Sequence, residues 1–297
     1  MTARGISLRG DPLATLATLV ARHGGTLPGG DGPAPLRLVR VTDAAGGELA
    51  PLLSSRFLGA GHGALEKGAV LLVDASLHAR LGAPIAGTAQ IWVHPHAAWA
   101  MASLLDDAVV EDTPPVIGPG CSIAPTAVLG PRVVLGARVR IGAGAVIGHP
   151  GFGWATGEEG AVRPVPQLGG VVLEDDVAIG PLCTVDAGTL APTRIRAGAK
   201  LDAHVHVGHN GDVGEGCIVA AQVGLAGSVT LGRGVLVGGQ AGFADHVTVG
   251  GGARIAAGSG VIGDVPPGAV VAGYPAVPRG RWLRALAKLY RGSRRQA

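Results

Sequence analysis

The chain is predicted to be a mainly β protein: a parallel β-helix of six-residue repeats, with a small α/β domain before it and a short helix after it. Two observations carry that expectation. An aliphatic residue recurs every six positions, and glycine reaches 52 of 297 residues while aromatics make up only 3%. Ile117, Ile123, Leu129, Leu135, Ile141 and Ile147 are each followed by Gly or Ala. The register resumes at Leu173, Ile179 and Val185, slips by four residues, and then runs from Ile195 through Leu201, Val207, Val213 and onward to Ile255. A helix needs apolar residues every three or four positions and a simple strand every second one, so neither template fits. Six-residue repeats form the flat faces of a triangular solenoid, three to a coil. The first position fills the interior, the small fifth position lets the chain turn, and coils stack at about 4.8 Å.

Composition excludes other classes. Glycine does not fall at every third residue, which excludes collagen. A hydrophobic content of 47% with a net charge of only +3 excludes a disordered chain. No stretch approaches the roughly 18 apolar residues of a membrane span, and no signal-like start is present, so the expected location is cytoplasmic. Cys121, Cys183 and Cys217 are an odd number without a CxxC, which fits a reducing compartment. All three fall at the fifth position of their hexapeptides, where they read as small core-filling residues.

Residues 1–112 lack the period and read as the α/β domain. Asp11–His23 is expected as a helix capped by Asp11 with Pro12 at its first turn. Strands are expected at 36–41, 69–74 and 89–93, and a helix at 95–105. Thr113-Pro114-Pro115 marks the boundary to the solenoid, residues 113–277. In residues 278–297 the helix 281–291, with Trp282, Leu283, Leu286, Leu289 and Tyr290 at helical spacing, is expected to cap the open last coil. This tail holds seven basic residues and no acids. It suits an acidic partner, with at most peripheral membrane contact. No basic stripe with interleaved aromatics runs along the solenoid, so nucleic acid is not an expected partner.

Insertions in a solenoid become loops on one face and often carry function. The larger, His149–Val172, holds Phe152 and Trp154, two of the few aromatics, which suggest a contact surface for an apolar ligand or another subunit. Histidines are the main candidates for chemistry. Asp202, His204, His206, His209 and Asn210 cluster in adjacent hexapeptides, and His209 and His246 lie two coils and one residue apart, about 10 Å along the axis. A neutral imidazole suits general-base work. A zinc site on His204, His209 and His246 is an alternative, but those positions diverge in direction, and no metal is expected. A non-catalytic scaffold is a further alternative.

The order of motifs resembles the UDP-3-O-acylglucosamine N-acyltransferase family of lipid A biosynthesis. Gly151-Phe152-Gly153-Trp154 is similar to the family's GFGY, Pro166-Gln167-Leu168-Gly169 to its PQIG, and Val207-Gly208-His209-Asn210 to its IAHN. Cys183-Thr184-Val185-Asp186, Leu225-Ala226-Gly227-Ser228 and Ala244-Asp245-His246 complete the set. The resemblance implies a left-handed β-helix, a homotrimer with sites between neighbouring solenoids, and transfer of a 3-hydroxyacyl chain from acyl carrier protein to the 2-amino group of a UDP-3-O-acylglucosamine. No cofactor is implied beyond the phosphopantetheine arm of the donor. It makes His209 the general base and Gly227 the oxyanion donor, with Asp202 and Asn210 supporting and Asp202 orienting the ring. Phe57, Phe152, Trp154, Asp186 and His246 would bind substrate. Two departures bear on the substrate. The family's uracil-clasping pattern, FxxNPKY, is Pro51 to Phe57 here with only Phe57 aromatic, and its Asp-Arg-Gly is Asp186-Ala187-Gly188. The alternative they leave open is a hexapeptide acyltransferase for another nucleotide-linked amino sugar, with coenzyme A as the donor.

Overall fold

Stacking of the six-residue repeats produces three flat parallel sheets around one apolar interior, a left-handed parallel β-helix. The computed structural model describes residues 5–8, 15–81, 91–273 and 279–293. The first face has seven strands, from Val116–Ile117 to Thr248–Val249, and the second has eight, from Ser122–Ile123 to Val270–Val271. The third has seven, from Val128–Leu129 to Gly260–Val261. Partners normally lie eighteen residues apart, as Asp212 and Thr230 do. The two insertions widen that spacing locally, pairing Val133 with Val171 and Val171 with Thr193. The register continues one step past Ile255, where Val261 pairs with Phe243, before Ile255 pairs with Val271 at a shortened spacing of sixteen.

First-position residues such as Val207, Leu225 and Val249 and fifth-position residues such as Val205, Val223 and Val247 are all buried. Cys183 and Cys217 are buried and Cys121 partly so. Their thiols donate to the carbonyls of Asp202, Gly232 and Gly136 respectively. Burial pushes the Cys183 and Cys217 thiols above the ordinary value, which suppresses the nucleophilic thiolate.

Before the solenoid, β1 (Ile6–Ser7), β2 (Arg37–Leu38), β3 (Leu49–Leu52), β4 (Val70–Asp74) and β5 (Ile91–His94) form one sheet in chain order, antiparallel only between β1 and β2. Helices α1 (Leu16–His23), α2 (Leu58–Glu66), α3 (Ala75–His78) and α4 (Ala97–Asp106) cover it. Helix α1 begins at Leu16 after Thr15 in an extended conformation, and the expected cap at Asp11 and Pro12 lies outside the described residues. Strand β3 and helix α2 were not expected. Pro51 reads as a strand breaker, but β2 pairs with β3 only at Leu38 and Leu49, so no ladder bond is required of Pro51 on that side. Three glycines weaken the helical propensity of α2. Packing supplies what propensity does not: a Cβ at Gly61 would lie 3.1 Å from Leu52.

The two parts share a core. Ala155, Val165 and Leu190, from the solenoid insertions, pack with Trp92, Leu16 and α4. Trp154–Thr156 and Val162–Pro164 form an antiparallel hairpin there, with the Arg163 guanidinium 5.0 Å above the Trp99 ring and paired to Asp106. In the final helix, α5 (Arg279–Ser293), Leu289 and Tyr290 are exposed, as is Val270 on the last strand of the second face, while the side chains of Trp282 and Leu283, expected to cap the coil, lie outside the described residues. Among the described residues no helix is long and apolar enough to cross a membrane.

Candidate active site

His209 stands at the corner where the chain leaves the third face for the first. Strand His206–Val207 ends, Gly208 passes close to the next coil, and Asn210 turns the chain with φ 60°. One coil on, Gly227 occupies the equivalent position, followed by Asp245 in the coil beyond, with His246 beside it. Stacking places Gly227 against the ring: a Cβ there would lie 2.6 Å from His209 Nε2. From the other side the insertion closes in, and a Cβ at Gly151 would lie 2.5 Å from His209 Cβ. Gly153 makes the same kind of approach to Gln167, with its Cβ position 2.6 Å from Gln167 Nε2. Gly151 and Gly227 are therefore explained by the space around one imidazole, and Gly153 by the space around Gln167.

The backbone is stitched across coils here. Ser228 N–H donates to the His209 carbonyl at 2.7 Å, and His246 N–H donates to the Gly227 carbonyl at 3.0 Å. Asn210 Nδ2 lies 2.9 Å from His209 Nδ1. Burial, and then the neighbouring His246 and His206, hold His209 below the ordinary imidazole pKa. The ring is thus kept neutral near pH 7, as acid–base work requires.

Asp202 does not orient His209. It sits at the corner between the second and third faces, exposed, and its Oδ1 accepts the N–H of Ala203 at 2.7 Å. The third-face strand His206–Val207 separates it from the His209 corner, where Asn210 contacts the ring in its place. Asp186 is buried on the third face, where it pairs with His149 just past a register shift and lies 3.8 Å from His206 Nε2. Burial pushes the Asp186 carboxyl upward against the opposing influence of His206 and His149. Thr184 Oγ1 and His206 Nδ1 are 2.7 Å apart.

Phe57, at the end of a short 3-10 turn (Ser55–Phe57) between β3 and α2, comes to within 6.4 Å of the His246 ring, edge to face. Its neighbour Arg56 binds the His246 carbonyl, Thr248 Oγ1 at 2.7 Å and Asp264 Oδ2 at 3.1 Å. Sequence reasoning missed Arg56, and it missed Gln167 and Thr189, which reach Asn210 through hydrogen bonds. The only signal for Gln167 was its place in the quoted Pro-Gln-Leu-Gly motif. Phe152 is 84% exposed and stands edge to face with Trp154 at 6.0 Å, away from the His209 ring contacts. Among the described residues no group of three or more His, Cys, Asp or Glu is placed to hold a metal ion.

The family model of the bacterial transferase hexapeptide (six repeats) matches residues 114–149. Over 148 residues the chain is 55% identical to the UDP-3-O-acylglucosamine N-acyltransferase of Caulobacter vibrioides, which covers 50% of this chain and 43% of that one. The protein of the same name from Granulibacter bethesdensis is 54% identical over 152 residues, 51% of this chain and 44% of its own. That from Methylobacterium nodulans is 40% identical over 153 residues, 52% and 43%. The chain therefore spans less than half the length of the curated relatives it matches. A solved UDP-N-acetylglucosamine acyltransferase from Campylobacter jejuni covers 58% of this chain and 71% of its own at 24% identity, with a TM-score of 0.47, too loose a likeness to bear on function.

Proposed function

We propose that the chain is an N-acyltransferase that moves a 3-hydroxyacyl group from an acyl carrier protein thioester to the 2-amino group of a UDP-3-O-acylglucosamine, in the synthesis of lipid A. The observation that carries this reading is His209, neutral and half-buried, held against the bare backbone of Gly227. The names of the relatives and the order of motifs support the choice of substrates.

In this reaction the amine nitrogen forms a bond to the thioester carbonyl carbon, the carbonyl oxygen takes up negative charge, and the C–S bond then breaks. One proton must pass from nitrogen to the departing sulfur. His209 takes that proton and returns it to the thiolate, work for which a neutral ring near pH 7 is suited. The backbone at Gly227 meets the oxyanion, a role that needs an unobstructed approach. His246 and Phe57, brought together from the two halves of the molecule, bind the sugar nucleotide with Asp186. The exposed Phe152 and Trp154 take the acyl chain. The site opens outward, and a neighbouring copy in a homotrimer supplies its second wall. The basic tail receives the acidic carrier protein.

A second reading, another nucleotide-linked amino sugar with a coenzyme A donor, is favoured by Pro51 and Ala187. Pro51 lies in strand β3 and Ala187 is buried behind Asp186, so neither position offers the aromatic or the guanidinium found in the relatives' motifs. The deciding experiment measures N-acyl transfer from a 3-hydroxyacyl carrier protein to UDP-3-O-acylglucosamine by the wild type and by His209→Ala. Turnover that collapses in the variant supports the reading. Absence of turnover in the wild type, with transfer to another amino sugar, moves the assignment to the second.

A further inference from the structure

Behind His209 lies a chain of three polar side chains whose direction is set at two points by the backbone. Gln167 and Thr189 are buried, and Asn210 is half-buried. Gln167 Nε2 donates to the Val165 carbonyl at 2.9 Å. A carbonyl only accepts, so this contact turns Gln167 Oε1 toward Thr189, whose Oγ1 lies 2.7 Å away and must donate to it. The Thr189 oxygen then accepts from Asn210 Nδ2 at 3.0 Å. Independently, the backbone N–H of Thr189 donates to Asn210 Oδ1 at 2.7 Å. An N–H only donates, so this second anchor turns the Asn210 amide the same way as the first. The remaining hydrogen on Nδ2 points at His209 Nδ1, 2.9 Å away.

An imidazole nitrogen that receives an N–H in this way has its lone pair engaged, so the proton of the neutral ring sits on the other nitrogen. Amide and tautomer orientations are normally ambiguous, and here two backbone groups with fixed roles remove the ambiguity. We propose that Gln167, Thr189 and Asn210 are positioning residues that hold resting His209 as its Nε2–H tautomer, so that the ring first meets the reactants as a hydrogen-bond donor beside Gly227. The Nδ1–H form, whose free Nε2 lone pair takes the proton of the amine, is then the minor tautomer, because it sets N–H against N–H at Asn210. This deepens the reading of His209 as the proton-handling ring and rests on it only for the chemistry that follows, not for the tautomer itself.

The test is nitrogen NMR of the full-length protein labelled with 15N-histidine, with His209 assigned by its loss in His209→Ala. Wild type is expected to show an unprotonated, acceptor-type Nδ1 and a protonated Nε2 at pH values above the titration of the ring. Asn210→Asp keeps the shape and still accepts from Thr189 N–H, but offers an acceptor to the ring. It is expected to invert the tautomer and to raise the titration midpoint of His209 by at least one pH unit. Asn210→Gly, which removes the amide and tolerates the left-handed backbone there, is expected to leave a mixture of tautomers, whereas Thr189→Val keeps the backbone N–H anchor and is expected to retain the wild-type pattern. A wild-type ring protonated at Nδ1, or an Asn210→Asp spectrum with unchanged tautomer and midpoint, overturns the proposal. If Asn210→Asp does not fold, a wild-type tautomer pattern in Asn210→Gly overturns it. None of these readouts depends on turnover, so a failed acyl-transfer assay leaves them decisive.

Discussion

Where the first face meets the second, the solenoid turns at Arg138, Asp176, Gly198, Gly216, Gly234 and Gly252, all with φ near +60 to +70°. Where the third face meets the first, it turns at Asn210, Ser228 and His246 with φ of 60°, 61° and 59°. The backbone solution is the same and the side chains are not. At the first corner, glycine makes most of the turns and the remaining decoration is exposed ion pairs, Arg138 with Asp176 and Arg233 with Glu215. At the second, residues that pay roughly 1–2 kcal/mol each to adopt the left-handed conformation are retained. The remaining corner carries Leu182, His204, Gln222 and Gln240 in that conformation too, so strain alone does not mark a site. What separates the His209 corner from the first is close approach: Cβ atoms built at Gly151 and Gly227 would lie within 2.6 Å of His209, while those at Gly216, Gly234 and Gly252 would meet nothing within 4 Å.

Replacing the ring breaks the comparison most sharply. His209→Ala is expected to lower kcat/KM for acyl transfer by about 100-fold or more, with the thermal midpoint little changed, as steady-state kinetics and calorimetry on the same preparation will show. Next comes the approach itself. Gly227→Ala is expected to displace the ring and cost about tenfold or more in turnover. Gly234→Ala, in the empty corner, should leave turnover intact and lower stability by about 1–2 kcal/mol in a denaturant titration. Equal effects of the two substitutions on turnover would remove the distinction between the corners.

Acidification gives a smaller effect with a defined sign. Burial first, then His246 and His206, lower the His209 pKa below 6.5, so the folded ring resists a proton that the unfolded chain accepts. Between the folded pKa and about 6.5 the unfolded state binds more protons, and stability falls as pH drops through that window. His23 and His94, lowered chiefly by burial in the α/β unit, add with the same sign. His209→Gln should therefore flatten the loss of thermal stability between about pH 7 and pH 5.5 only in part. Acid–rate profiles should place the limb of the wild-type enzyme below 6.5. The smallest effect belongs to the first corner: Glu215→Gln breaks an exposed pair at 3.2 Å and should change stability by less than about 1 kcal/mol and turnover not at all.

The solenoid was legible because its signal repeats. Each of Val207, Leu225 and Phe243 restates the same environment, and the cysteines at the fifth position test the register independently. His209 and His246 were legible as positions, since eighteen-residue coils convert sequence distance into stacking. Asp202 was misread because two residues near in sequence stand at different corners once the chain turns between them. Gln167 and Thr189 were invisible for the opposite reason: they reach Asn210 across insertions, and no period encodes where an insertion folds back. The α/β unit was half legible. The β4 strand, five residues long and apolar, stood out, whereas Pro51 disguised β3 and three glycines disguised α2, elements that packing rather than propensity maintains.

The shared core of Ala155, Val165 and Leu190 with α4 bears on how this architecture is recombined. A solenoid interacts coil to coil, so coils added beyond Val271 act only locally, whereas trimming the last one removes Asp264 and its ion pair to Arg56 of the α/β unit. The α/β unit has no such freedom. The hairpin that anchors it is continuous with the loop that brings Gly151 and Gln167 to His209, so a grafted unit must carry the insertion with it. The α/β unit, the His209 corner and the coil that carries Asp264 therefore form one heritable module.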